Sequence, residues 1–232
     1  MKRPVVALDG PAGAGKSTVA RRVAEALGFV LVDTGALYRA VALASEKAGI
    51  PWSEPERVTR LAEGLVARRA LRLGSADGAT RIELDGLDVS QAIRTPEMSH
   101  GASVVSAIPG VRAALLALQR GFLGEGGAVM EGRDIGTVVA PDAELKFFVT
   151  ASPEVRARRR HDELVAKGQP SDLEATLREV LARDHADSTR AVSPLVQAQD
   201  AELLDTSDLS ADEVVGLIVD RVHARFPPAR AT

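Results

Sequence analysis

The chain has 232 residues, of which 45% are hydrophobic and 26% are charged, and its formal net charge is -3. This composition is ordinary for a soluble globular protein, and the acidic balance with only five Phe, one Tyr and one Trp argues against a nucleic-acid partner. The absence of cysteine excludes disulfides and thiolate metal sites, and no apolar run reaches the ~18 residues of a membrane span. We expect a cytoplasmic monomer with no membrane partner.

The first 51 residues alternate short apolar runs with segments of helical spacing. We predict a strand over 5–9, a helix over 16–27, a second strand over 29–32 and a second helix over 35–48. Strands and helices that alternate with short connections are typical of a parallel sheet flanked by helices.

The pattern changes after residue 51. A helix is predicted over 54–69, and the run 70–89 alternates with period two and carries two Asp-Gly pairs, which predicts a small antiparallel meander. We interpret about 54–93 as an insertion into the α/β pattern. The elements expected after it are helices 96–107 and 109–123, strands 128–131 and 145–150, helices 153–167 and 173–186, strand 202–205 and helix 211–226, before a disordered tail at 227–232.

The segment GPAGAGKS, from Gly10 to Ser17, fits the pattern G-x-x-x-x-G-K-[ST] between a predicted strand and a predicted helix. Backbone N–H groups of such a loop converge on phosphates, Lys16 adds a mobile positive charge, and the Ser17 hydroxyl suits Mg²⁺. The candidate ATP-phosphate ligands are Gly10, Pro11, Ala12, Gly13, Ala14, Gly15, Lys16, Ser17 and Thr18. The loop predicts a nucleoside triphosphate site but leaves the reaction open among GTPases, ATPases and small-molecule kinases.

Charged residues follow the predicted strands, where a parallel sheet builds its crevice. Arg133 and Asp134 lie between two glycines directly after strand 128–131, and Arg39 follows the second strand. An acceptor phosphate is largely ionised at neutral pH, so its site needs arginines more than a general base.

Two helical segments add further arginines. Their spacing places Arg156, Arg159 and Arg160 on one helical face, with Arg158 turned away. The second segment carries Arg183, Asp187 and Arg190 at intervals of four and three, so these residues share one side if the helix continues. Alternatively, Arg183 and Asp187 could form a local ion pair four residues apart.

Five motifs together resemble the bacterial cytidylate kinases in order and spacing, from about residue 4 to 225. They are the phosphate loop, DTGALYR (33–39), EGRDIGTVV (131–139), SPEVRARRR (152–160) and RDHADSTR (183–190). The resemblance implies one P-loop kinase domain over 1–226, with a five-stranded parallel sheet flanked by helices. It also implies a small β-rich monophosphate-binding insertion, a short lid at about 153–172, and transfer of the γ-phosphoryl group of ATP to CMP or dCMP with Mg²⁺.

The resemblance also implies roles for particular residues. The CMP site would comprise Thr34, Tyr38, Arg39, Ser103, Arg112, Arg133, Asp134, Arg183, Asp187 and Arg190. The catalytic groups would be Lys16, Arg133, Arg156, Arg160 and Arg183, and Arg156 and Arg159 would reach ATP from the lid. Cytosine carries an amino group that the Asp134 carboxylate can accept from, whereas uracil has a carbonyl there.

Several alternatives stay open. A kinase of the same architecture could act on UMP, AMP or shikimate, and a P-loop ATPase or regulatory switch would need no small acceptor. The metal's second protein partner is also open, because Asp9 and Glu131 both end predicted strands near the phosphate loop. Mg²⁺ takes most of its ligands from water and substrate phosphates, so Ser17 together with ATP could be enough to hold the metal.

Overall fold

The computed structural model describes residues 3–76, 79–124 and 126–227, and within these ranges it has a five-stranded parallel sheet and a three-stranded antiparallel sheet. The strands are β1 Val5–Asp9, β2 Val30–Asp33, β3 Leu71–Ala76, β4 Ala79–Leu84, β5 Leu87–Asp88, β6 Ala128–Glu131, β7 Leu145–Thr150 and β8 Glu202–Asp205. The helices are α1 Lys16–Leu27, α2 Thr34–Lys47, α3 Pro55–Ala67, α4 Pro96–Val105, α5 Pro109–Arg120, α6 Pro153–Ala166, α7 Leu173–Thr189 and α8 Ala211–Arg225. The predicted parallel sheet flanked by helices is confirmed.

Strand β1 lies at the centre of the parallel sheet, whose order is β2-β6-β1-β7-β8. All of β1 is buried, as an apolar strand covered on both faces must be. In the register of the sheet, Leu8 of β1 and Asp33 of β2 are both paired with Glu131 of β6. Because parallel strands end at one edge, the loops after β1, β2 and β6 converge there.

The two faces of the sheet bury separate apolar clusters. Val6 and Leu8 of β1 pack on the face covered by α1 and α8. Val5 and Ala7 point to the opposite face, where Ile135 packs against them. This alternation follows from the period-two geometry of a strand, and it fixes which side of β1 each helix covers.

The predicted meander forms the antiparallel sheet β3-β4-β5, apart from residues 77–78, which lie outside the described residues. It shares a third apolar cluster with helices α2 to α5, in which Leu37, Val58, Ile82 and Leu115 are buried. The segment after β2 therefore has its own core beside the parallel sheet.

Apart from shifts of one or two residues at the ends of elements, the structure differs from the predicted elements at three places. Helix α7 continues to Thr189 instead of ending at 186, and the hydroxyls of Ser188 and Thr189 donate to the carbonyls of Asp184 and His185 at 2.7 Å each. The segment 109–123 ends its α-helix at Arg120 and finishes in a 3₁₀ turn. The last five residues of the motif EGRDIGTVV, after β6, form a π-helical turn over Ile135–Val139, which was not predicted.

Of the predicted tail at 227–232, residues 228–232 lie outside the described residues. In the part of the chain that is described, no single helix is long and apolar enough to cross a membrane. The bent pair Pro96–Val105 and Pro109–Leu123 reaches that length and composition only jointly, across an angle of 103°.

Candidate active site

The phosphate loop connects β1 to α1 and is packed tightly against its neighbours. Gly10 has φ 145°, and a Cβ there would lie 1.9 Å from the carbonyl oxygen of Val149 on β7. Gly13 has φ 78°, and a Cβ there would meet Arg156 at 3.2 Å. Only glycine combines these backbone angles with such close approach, so the neighbouring elements determine the shape of the loop.

Lys16, the first residue of α1, lies over this loop. Its Nζ donates to the carbonyl oxygen of Pro11 at 2.6 Å, and the side chain is buried. Burial holds the pKa of Lys16 well below its usual value, and the positive charge of Arg133 adds to that effect, while Glu131 opposes it. A bound phosphate would oppose both effects, because its negative charge stabilises the protonated form of Lys16.

Glu131 and Asp9, the two candidate metal-side carboxylates, have different partners. Both Asp9 oxygens accept backbone N–H groups, from Ile135 and Gly136 at 2.7 Å each, so Asp9 holds the π-helical turn. Glu131 Oε2 instead accepts the Ser17 hydroxyl at 2.8 Å. Burial raises the pKa of Asp9 to about 6 and that of Glu131 to about 7, with Asp33 adding to the second shift. Glu131 is thus the carboxylate beside the predicted metal ligand.

Arg133 extends from the turn after β6 to helix α7. Its Nε donates to Asp187 at 2.9 Å, so Asp187 pairs across elements and not with Arg183 on its own helix. Burial acts to raise the pKa of Asp187, but Arg133, Arg183 and Arg190 together outweigh it and hold that pKa below its usual range. Burial, followed by the charge of Arg133, lowers the pKa of Arg183 to about 10. Arg183 Nε is buried and has no hydrogen-bond partner among the described residues.

Arg112 of α5 and Asp134 form a buried ion pair behind this cluster. Arg112 also donates to the carbonyl oxygen of Ser106 at 3.1 Å, and its guanidinium lies 5.4 Å from the centre of the Tyr38 ring. The buried Gln119 donates to the Tyr38 hydroxyl at 3.4 Å. Arg112 and Asp134, two of the three residues for which the resemblance implies a role in cytosine recognition (the third is Ser103), are therefore brought together with Tyr38, and the contacts with Ser106 and Gln119 that support them were not predicted.

The remaining predicted CMP residues lie around these groups. Thr34 donates to the carbonyl oxygen of Glu131 at 2.8 Å, and Arg39 pairs with Asp33 at 2.6 Å. Arg190, just past the end of α7, donates through Nε to the carbonyl oxygen of Ser193 at 2.5 Å.

Two of these arginines carry buried nitrogens with unused donor capacity. Within the described ranges, Arg39 Nε and Arg190 NH2 have no hydrogen-bond partner. Burial lowers the pKa of Arg190, and the charge of Arg112 contributes. Ser103 of α4 is partly buried, and its carbonyl oxygen accepts the Ser106 hydroxyl at 3.1 Å. Anionic oxygens would be the best hydrogen-bond acceptors for the unpaired nitrogens of Arg39 and Arg190.

The three arginines of α6 that were predicted to belong to a lid have distinct partners. Arg156 is 3% exposed and forms a bidentate pair with Asp184, at 2.9 and 2.5 Å. Arg159 donates to the carbonyl oxygen of Thr206 at 2.6 Å, and Arg160 pairs with Glu163 at 3.0 Å. Arg158 is exposed, as its helical position predicted.

Four contacting residues were missed by sequence reasoning, namely Asp33, Gln119, Asp184 and Thr206. Asp33 and Asp184 are parts of recognised motifs, and Thr206 directly follows β8 at the edge where parallel strands end. Gln119 lies seven residues after Arg112 on α5, so helical periodicity could have placed it on the same face.

The donor set bears on which metal could bind. In the residues that the structure describes, no group of three or more His, Asp or Glu side chains is placed to hold a metal ion. The Ser17 hydroxyl beside the Glu131 carboxylate suits Mg²⁺, which takes few protein ligands and completes its shell with phosphates and water.

Comparisons with known proteins agree with this geometry. A family model described as cytidylate kinase matches residues 6–224. A cytidylate kinase of Pelotomaculum thermopropionicum is 50% identical over 222 residues, covering 95% of this chain and 96% of that protein. The values are the same for a cytidylate kinase of Mycobacterium leprae: 50%, 222 residues, 95% and 96%. A bifunctional pantoate ligase/cytidylate kinase of Synechococcus sp. is 51% identical over 94% of this chain, which spans 40% of that longer protein. The chain therefore belongs to the cytidylate kinase family.

Proposed function

We propose that this protein transfers the γ-phosphoryl group of ATP to CMP or dCMP, giving ADP and CDP or dCDP. The observation that carries the proposal is a cluster of cations, the buried Lys16 with the partly buried Arg133 and Arg183, in which burial and then the charge of Arg133 lower the pKa values of Lys16 and Arg183. The buried Arg112–Asp134 pair lies beside this cluster and has the donors and acceptors that cytosine needs.

The donor nucleotide would bind at the phosphate loop. The N–H groups of Gly13 to Lys16 and the amino end of α1 suit the β- and γ-phosphates, and Lys16 Nζ would exchange the carbonyl oxygen of Pro11 for a phosphate oxygen. Mg²⁺ would supply neutralisation of phosphate charge here. Ser17 would be its protein ligand, and Glu131, which accepts the Ser17 hydroxyl, would hold one of its waters.

The acceptor nucleotide would bind across the crevice. The phosphate of this nucleotide would be held by Arg39, Arg133 and Arg183. Its sugar hydroxyls would donate to Asp187, and Arg190 would donate to sugar and phosphate oxygens. An oxygen of this phosphate attacks the γ-phosphorus, and the bond from that phosphorus to the bridging oxygen breaks, so that ADP leaves with the electron pair. The acceptor is already an anion near neutral pH, so the arginines position it and neutralise charge without a general base.

Base selection would depend on Asp134 and Arg112. The carboxylate accepts the cytosine amino group, and Arg112 can donate to the ring acceptors, with Ser103 nearby on α4. Uracil would face Asp134 with a carbonyl, and an unpaired buried polar group costs about 1–3 kcal/mol, which corresponds to about tenfold to a hundredfold discrimination.

Two segments would close over the bound nucleotides. The β-rich insertion at about 54–93 would approach the CMP side, and the lid at about 153–172 would bring Arg159 and Arg160 towards ATP. Closure excludes water, which matters because ATP hydrolysis is the competing reaction. A single kinase domain over 1–226 and a cytoplasmic monomer remain part of the proposal.

An acceptor panel tests the proposal. The purified protein with ATP and Mg²⁺ is offered CMP, dCMP, UMP, AMP and shikimate in parallel, and ADP formation is measured. We expect the highest kcat/KM on CMP or dCMP and little ATP turnover without an acceptor. A higher kcat/KM on UMP, AMP or shikimate would refute the acceptor, and acceptor-independent turnover would favour an ATPase.

A further inference from the structure

Arg156 ties three separate parts of the chain together. Its Nε donates to the carbonyl oxygen of Ala151 at the end of β7, and NH1 donates to that of Ala12 in the phosphate loop, at 2.8 and 3.1 Å. The remaining donors form the bidentate pair with Asp184 of α7. Gly13 packs against the same residue, since a Cβ on Gly13 would lie 3.2 Å from Arg156 Cβ. The phosphate loop is thus held directly by Arg156.

Helix α7 also carries groups of the acceptor side. Asp187 lies three residues after Asp184, on the same side of the helix, and pairs with Arg133. Arg183 precedes Asp184 and is partly buried, with its Nε shielded from solvent. Helix α7 therefore contacts Arg156, and through it the phosphate loop, at Asp184. The proposed CMP-binding residues Arg183 and Asp187 lie on the same helix within three residues of Asp184.

We propose that Asp184 is a positioning residue that connects the phosphate loop to helix α7 through Arg156, and that this connection couples ATP binding to CMP binding. The inference rests on the proposed function, because it concerns the two nucleotides of that reaction. CMP bound to Arg183, Asp187 and Arg190 restricts the motion of α7. Because Asp184 holds Arg156 and Arg156 holds the Ala12 carbonyl, the motion of the phosphate loop is restricted as well. ATP then binds a phosphate loop that has already lost part of its conformational entropy, so its binding costs less free energy.

The bidentate geometry is what makes Asp184 specific in this role. Two parallel N–H···O bonds fix both the position and the plane of the guanidinium, which a single charge contact does not. Asp184→Asn keeps the shape but loses one acceptor and the charge. Arg156→Lys keeps the charge but loses the fork.

The test measures the affinity for AMP-PNP with Mg²⁺ by titration calorimetry, with and without saturating CMP. In the wild type we expect CMP to tighten AMP-PNP binding at least about fivefold, and AMP-PNP to tighten CMP binding by the same factor. In D184N we expect this factor to fall below about twofold, while the affinity for CMP alone changes less than about threefold. Glu179→Gln, which removes an exposed acidic charge from α7, should keep the wild-type factor.

A double-mutant cycle separates this role from direct phosphate binding by Arg156. If Asp184 acts through Arg156, then R156K lowers the coupling factor as D184N does, and the double variant lowers it no further. If R156K and D184N lower it additively, or D184N keeps the wild-type factor, or the wild type shows no coupling, the proposal is refuted.

Two further readouts keep the result interpretable. Asp184→Glu retains the carboxylate, so it should retain more coupling than D184N, and it replaces D184N if that variant does not fold. The acceptor panel on the wild type judges the function separately. A protein that phosphorylates CMP but shows unchanged coupling in these variants would refute the connection alone.

Discussion

The guanidinium of Arg112 and the carboxylate of Asp134 form a buried ion pair that joins residues 22 positions apart, from helix α5 and the turn after β6. A buried pair of this kind is weak evidence for stability, because desolvation offsets most of the attraction. Its placement beside Tyr38 is consistent with the proposed role of the pair in recognising a base.

Asp134→Asn should reduce the preference for CMP over UMP, measured as the ratio of the two kcat/KM values, by about tenfold or more. The reason is that the new amide can donate to the uracil carbonyl, whereas the carboxylate can only accept. Asp142→Asn, at an exposed turn position, is the control and should keep the ratio. An unchanged ratio in a folded D134N would remove Asp134 from base recognition.

Arg133→Ala should lower kcat/KM for CMP by about 100-fold to 1,000-fold, because a fixed donor to the attacking phosphate of CMP is lost. The affinity for AMP-PNP alone should change less than about threefold, since the phosphate loop stays intact. Steady-state kinetics and calorimetry on the same preparation give both values, with the exposed Arg158→Ala as a matched control. Equal losses in both measurements would place Arg133 on the donor side or in the fold.

Glu131 should make the free energy of unfolding depend on pH. Its pKa is raised from 4.5 to about 7, chiefly by burial and then by Asp33, so the folded protein holds this proton more tightly than the unfolded chain does. The contribution to stability is complete below about pH 4.5 and is lost as the pH rises through 7. In Glu131→Gln, urea unfolding should therefore show a smaller decline in stability between about pH 5 and 8.

The control for this measurement is Glu25→Gln, an exposed position on α1, which should follow the wild-type curve. A difference between E131Q and the wild type that does not change with pH would show that Glu131 titrates at its ordinary value.

Gly10→Ala should destabilise the fold more than Gly49→Ala does. Both glycines have positive φ, at 145° and 63°, but a Cβ on Gly10 would lie 1.9 Å from a β7 carbonyl oxygen, whereas one on Gly49 meets nothing within 4 Å. We expect G49A to lower the free energy of unfolding by about 1–2 kcal/mol, and G10A by at least about 2 kcal/mol more. Equal losses in urea unfolding would show that the loop can move away from β7.

Most of the helices and strands followed from local patterns. The bounds of β1, α1, β6, β7 and β8 are those predicted, because each is an apolar or amphipathic run with a clear stop. The π-helical turn at Ile135–Val139 was not predictable in this way, since Asp9, 126 residues earlier, supplies the acceptor for its first N–H. The end of α7 was missed because Ser and Thr are typical of helix ends, whereas the hydroxyls of Ser188 and Thr189 here bond back to carbonyls within the helix.

The sequence by itself determined the phosphate loop, the α/β pattern, the candidate arginines and carboxylates and the family, because each of these is encoded in local spacing or in the order of motifs. Only the tertiary structure decided the pairing: Asp187 with Arg133, Asp184 with Arg156, and Glu131 with Ser17. These partners are 54, 28 and 114 residues apart. They meet because the strand order β2-β6-β1-β7-β8 brings distant loops to one edge, and no local periodicity carries that order.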